Sequence, residues 1–149
     1  IMGFLLDVWG EGRIYAEIVT GFTESLNLNH INQKISNGPH KGQPIPNLFP
    51  VYNYDNPQFP DEMFEYITLM GAPITSGTAE GMCKVLINPN GKIYLYDPDV
   101  SSRQILEGVA ANFNIVFKQV VPLTSLRAPF NEITLRDVHV FGYHRNDEL

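Results

Sequence analysis

The chain has 149 residues, 44% apolar, 17% charged and 11% aromatic, which supplies one buried core and excludes a disordered segment. Sixteen acidic against ten basic residues leave a net charge of −6, so no nucleic-acid partner held by phosphate neutralisation is expected. One cysteine, Cys83, excludes an internal disulfide or a multi-thiolate centre, and the four histidines (His30, His40, His139, His144) show no ligand spacing, so no metal is expected.

Along the chain, residues 4–9 read as a short apolar strand ending at Gly10-Glu11-Gly12, where two glycines permit backbone angles that side chains disfavour. Thr23 or Ser25 reads as the cap of a helix running to about Ile35, with Leu28, Ile31 and Ile35 on one face. Residues 37–60 carry eight prolines and glycines, from Gly38 to Pro60, and read as one long loop pinned by Phe49, Tyr52, Tyr54 and Phe59. Asp61 then caps a predicted helix over 61–70, in which Met63, Phe64, Ile67 and Met70 make a core-facing stripe.

Residues 83–87 and 92–96 flank Asn88-Pro89-Asn90-Gly91 and predict a hairpin. Asp99 or Ser101 caps a short helix to Glu107, and residues 114–121, 132–135 and 138–143 read as further strands. Helices first and strands later give an α+β class, in one domain over residues 1–149. No repeat is found, and no apolar run approaches the roughly 20 residues of a membrane span, so none is expected.

Two local signals carry chemistry without a family behind them. Gly10-x-Gly12 is a fragment of a dinucleotide fingerprint that lacks the third glycine and a predicted helix directly after it, which argues against a full Rossmann site. Cys83 reads either as core or as a nucleophile paired with a distant histidine.

Taken in order, Trp9-Gly10-Glu11-Gly12-Arg13, Gly21-Phe22, His30, Thr75-Ser76, Ile93-Tyr94, Glu132 and Phe141-Gly142-Tyr143-His144-Arg145 cover most of the chain. They resemble the ADP-ribosyltransferase subunits of the cholera, heat-labile enterotoxin and pertussis toxin family. The resemblance implies an α+β split β-sheet core with N-terminal helices and the long proline-rich loop beside a cleft. It implies NAD as substrate and no metal, with Glu132 as the catalytic carboxylate that stabilises an oxocarbenium-like state. Thr75 or Ser76 would orient Glu132, Arg13 would hold the pyrophosphate and His30 would contact NAD.

The implied protein is a secreted toxin that acts inside a target cell, transferring ADP-ribose to a host protein or hydrolysing NAD, with a B subunit left open. Phe130-Asn131-Glu132 lacks the first acid of the arginine-modifying members, which keeps open a catalytically inactive effector on the same scaffold. Plainer readings stand beside each residue: Glu132 as a solvated strand residue, Arg13 as a surface ion-pair partner, Thr75-Ser76 as a helix cap or turn, and His30 as a satisfied imidazole. Asn146-Asp147-Glu148-Leu149 resembles an endoplasmic-reticulum retrieval tail, with Asn146 where the signal has a basic residue.

Overall fold

Alternation of side chains across a pleated backbone explains most of the architecture. In the computed structural model, residues 4–12, 24–86, 91–122 and 139–145 are described. In β1 (Phe4–Val8), Leu6 and Val8 take one face while Leu5 and Asp7 take the other. In β2 (Glu24–His30), Leu26 and Leu28 alternate with Asn27 and Asn29. There follow β3 (Leu48–Val51), β4 (Tyr66–Met70), helix α1 (Ser76–Val85), β5 (Lys92–Tyr96) and helix α2 (Val100–Ala110) with a 3-10 turn at Ala111–Phe113. The chain closes with β6 (Ile115–Pro122) and β7 (His139–Arg145).

The seven strands form one sheet in the order β3-β2-β1-β4-β5-β7-β6. β3, β2, β1, β4 and β5 run parallel, and β7 inserts antiparallel between β5 and β6. Register sets apolar rows on one face: Val8 lies between Leu28 and Leu69, and Leu69 pairs with Leu95. These rows bury Ala79, Met82 and Cys83 of α1 and Leu106 and Ala110 of α2 in one core. The opposite face carries buried polar residues, Asp7, Asn27 and Thr68, in one row.

This single mixed sheet replaces the expected split-sheet α+β core with N-terminal helices. The helix expected from Thr23 or Ser25 to Ile35 is β2 and a turn, because Leu26 and Leu28 recur at period 2. The helix expected over 61–70 is a loop followed by β4, a central strand buried on both faces, so that its apolar run carries no alternation. The expected hairpin is α1 followed by a strand parallel to β4, and residues 87–90 lie outside the described residues. The strand at 4–9, the helix capped by Asp99 and the strands near 114–121 and 138–143 are present, and the 37–60 loop is interrupted only by β3. The strand expected at 132–135 lies outside the described residues.

Both helices start on side-chain caps. Thr75 accepts from the Thr78 amide at 3.1 Å and Asp99 from the Ser102 amide at 2.6 Å. Buried Ser102 in turn accepts from the Ile74 amide at 3.1 Å, tying the β4–α1 loop to α2. Hydrogen bonds from Ser102 hold the Asp99 carboxyl below its ordinary pKa. A depressed folded pKa gives stability that is present above the unfolded value, about 4, and is lost as pH falls through the folded one. Asp99→Ala is therefore expected to lower the thermal midpoint at pH 7, by a margin that shrinks below about pH 4, in melts recorded from pH 2 to 7.

Among the described residues no helix is long and apolar enough to cross a membrane.

Candidate functional site

In an open parallel sheet, ligands bind beyond the carboxyl ends of the strands, where neighbouring connections leave in opposite directions. Here that point lies between β1, whose chain continues to β2, and β4, whose chain continues through α1 to β5. The turn leaving β1 is shaped for close approach. Gly12 has φ +83°, and a Cβ on it would meet Pro46 Cγ at 2.7 Å. A Cβ on Gly10 would collide with the Asn27 side-chain oxygen and the Asp7 carboxylate. Between strand and glycine, Trp9 itself sits at φ 59°.

Buried polar groups hold this turn from beneath. Thr68 donates to Asp7 Oδ1 at 2.9 Å, and the Gly10 amide donates to the Asp7 carbonyl at 3.2 Å. Asn27 accepts from the Gly12 amide at 3.2 Å and donates to the Pro46 carbonyl at 2.8 Å. Asn29 donates to the Gly10 carbonyl at 3.0 Å. Asp7, Asn27, Asn29 and Thr68 are at most 4% exposed, so a bond left unmade by any of them would leave a desolvated group.

Above the turn opens a cleft of about 630 Å³. Its rim on the β2 side is closed by Glu11, whose carboxylate accepts from the Ser36 amide at 2.7 Å and the Ser36 hydroxyl at 3.0 Å. Tyr54 and Asp55, from the loop after β3, form another wall, and Met70 at the end of β4, Gly71-Ala72-Pro73 after it, Thr75 and Thr78 form the third. Trp9 and Tyr54 meet with ring centroids 5.1 Å apart and planes at 53°, and His30 stacks on Tyr54 at 5.1 Å and 23°. The described lining holds two carboxylates, Glu11 and Asp55, and no lysine or arginine.

Of the residues singled out from sequence, Thr75 lines the cleft but serves as the α1 cap, the plainer of its two readings. Ser76 is the exposed first residue of α1. His30 ends β2 instead of lying on a helix, its Nδ1 accepting from the Asn32 amide at 3.1 Å. Arg13, Glu132 and the Asn146–Leu149 tail lie outside the described residues. Cys83 is core: burial pushes its thiol up to about 12, which keeps it protonated and poorly nucleophilic at neutral pH. No group of three His, Cys, Asp or Glu side chains suited to a metal occurs among the described residues.

The residues that build the cleft, Asp7, Asn27, Asn29, Tyr54 and Asp55, were not singled out for it. The signal that could have found them is Gly10-x-Gly12 directly after an apolar strand.

No protein-family model matches the sequence, and no curated protein matches it. Solved structures do match. A ribosomal protein L11 methylase from Lactobacillus delbrueckii subsp. bulgaricus is 13% identical with TM-score 0.58, over 97% of this chain and 70% of that one. A SAM-dependent methyltransferase from Methanosarcina mazei is 11% identical with TM-score 0.57, over 99% of this chain and 94% of that one. The methyltransferase solved in complex with the Haloferax volcanii Trm112 methyltransferase activator is 10% identical with TM-score 0.56, over 96% of this chain and 82% of that one.

At these identities the likeness is one of fold. It overturns the resemblance to ADP-ribosyltransferase toxins, and with it the toxin reading, NAD as substrate, ADP-ribose transfer to a host protein and the inactive effector on the same scaffold. A B subunit finds no support either.

Proposed function

We propose that the cleft binds S-adenosylmethionine and that the protein is a methyltransferase. The observation that carries this reading is the cleft itself, lined by the Glu11 and Asp55 carboxylates at the switch point of a methyltransferase-like sheet. An NAD pyrophosphate would meet the Glu11 and Asp55 carboxylates there, whereas S-adenosylmethionine carries no phosphate and a positive sulfur. The group supplies an activated methyl on that cationic sulfur.

The chain's own residues supply binding and orientation. Gly10 and Gly12 let the turn pack directly on the Asp7 and Asn27 side chains and on Pro46, which sets Trp9 and Glu11 in the cleft, and Asn29 fixes the Gly10 carbonyl. Asp55 offers a carboxylate for hydroxyl donors, and Glu11 locks the β1 and β2 loops into one rim. Met70-Gly71-Ala72-Pro73 brings no titratable side chain to the β4 wall, so that stretch shapes the approach of an acceptor without exchanging a proton.

Calorimetric titration tests the reading. S-adenosylmethionine and S-adenosylhomocysteine are expected to bind, NAD is not, and Asp55→Asn is expected to weaken both adenosyl ligands about tenfold. Tighter binding of NAD than of S-adenosylmethionine, or no adenosyl binding at all, would overturn it.

A further inference from the structure

Among the described residues, four non-glycine residues have positive φ: Trp9, Asn47, Asp97 and Asn114. Asn and Asp adopt that region readily, whereas a bulky aromatic there is an outlier that the surroundings must enforce. Trp9 is enforced by the turn it belongs to, bounded by the buried Asp7 below and the Asn29-anchored carbonyl of Gly10 after it. The outcome is an indole lining the cleft, its ring set against that of Tyr54 at 53°.

We infer that Trp9 and Tyr54 form a cation-reading corner that distinguishes a sulfonium ligand from its uncharged thioether counterpart; this deepens the proposed function and rests on it. Trp9 and Tyr54 are tilted at 53° with centroids 5.1 Å apart, close enough that one cation on the cleft side of the pair would lie within about 6 Å of both centroids. Tyr54 is 48% exposed, and a lone exposed ring would swing freely. Here His30 stacks behind it, and the Asp55 amide donates to Asn53 Oδ1 at 2.9 Å, holding the following backbone. Glu11 and Asp55 bring carboxylates to the same cleft.

The test compares S-adenosylmethionine with S-adenosylhomocysteine, which share the nucleoside and differ in the methyl and the charge on sulfur. Trp9 is the sole tryptophan, so its emission reports ligand arrival at this corner directly, alongside calorimetry. Tyr54→Leu, a change at an exposed loop residue that leaves the core intact, is expected to weaken S-adenosylmethionine about three- to thirty-fold while moving S-adenosylhomocysteine less than about twofold. Trp9→Leu, followed by calorimetry, is expected to do the same, and Trp9→Phe to restore part of the difference.

Equal losses for both ligands, the signature of rings that stack only on the base, would overturn the inference and leave the proposed function standing. No change for either would also overturn it. If the wild-type chain binds neither adenosyl ligand, the proposed function fails, and trimethylsulfonium becomes the probe. A shift of Trp9 emission that Tyr54→Leu abolishes then supports the corner, and no shift overturns it.

Discussion

Gly10→Ala is expected to destabilise the fold by about 3 kcal/mol and to abolish ligand binding in the cleft, although it adds a single methyl group. The added carbon would collide with the Asn27 side-chain oxygen and the Asp7 carboxylate, and would lie 2.7 Å from Asp7 Cγ. Neither neighbour can retreat cheaply. Asp7 is 3% exposed and bonded to Thr68, and Asn27 is 4% exposed and bonded to the Pro46 carbonyl and the Gly12 amide. Moving either strands a buried polar group, and moving Gly10 drags the turn away from Asn29.

Gly108→Ala is the matched control. Gly108 lies within α2, has ordinary helical backbone, and a Cβ there meets nothing within 4 Å. The same chemical change is therefore expected to stabilise by about 0.5–1 kcal/mol through helix propensity. Urea unfolding of both variants, with ligand titration of Gly10→Ala, checks the pair. A Gly10→Ala midpoint equal to wild type would show that the polar layer beneath the turn does not pack as described.

The sequence announced its helices and strands unevenly, and the reasons are physical. Asp99 carries a capping side chain ahead of an apolar stripe, a local signal, and α2 begins there. β4 gives no such signal, because a strand buried on both faces reads Tyr-Ile-Thr-Leu-Met, a run whose apolar spacing also fits a helix. α1 was obscured by its glycines. Gly81 sits where a Cβ would collide with the Phe59 ring, and at Gly77 a Cβ would lie 3.0 Å from the Asp55 carbonyl. Helix propensity is thus sacrificed to seat the 52–63 loop, a tertiary demand that no local pattern reveals.

The site was legible in one fragment only. Gly10-x-Gly12 after an apolar strand lies at the turn beneath the cleft, yet it lacks both the third glycine, which lets a helix pack closely on the strand, and a predicted helix directly after it. Asn27 and Asn29 escaped notice because their stretch reads as a helix with Leu28, Ile31 and Ile35 on its core face, whereas it is β2 and both asparagines are buried and bonded to the turn. Order along the chain misled in the opposite way. Phe141-Gly142-Tyr143-His144-Arg145 matched a toxin strand by type, while its residues serve the packing of β7.

Arg145 shows what that packing requires, and Arg145→Ala is expected to cost about 3 kcal/mol. Its guanidinium donates to the Phe113 carbonyl at 2.8 Å and to the Cys83 and Leu86 carbonyls at 3.0 Å each. Cys83 lies in the last turn of α1, whose carbonyls have no partner within the helix, and a cation there also opposes the negative end of the helix dipole. Phe113 closes the turn after α2. One side chain from the last position of β7 therefore ties the ends of both helices to the sheet.

Arg145→Lys supplies a point charge where a planar fork spans three acceptors, so it is expected to recover less than half of the loss. Because Arg145 pairs with Ile115 and Gly91 near the start of β5, at the end of the sheet opposite the cleft, both variants that remain folded are expected to keep wild-type ligand affinity. Chemical denaturation with parallel titration separates the two effects. A folded Arg145→Ala with normal stability would show that water replaces the guanidinium at those carbonyls, and the clamp would then be a contact without energetic weight.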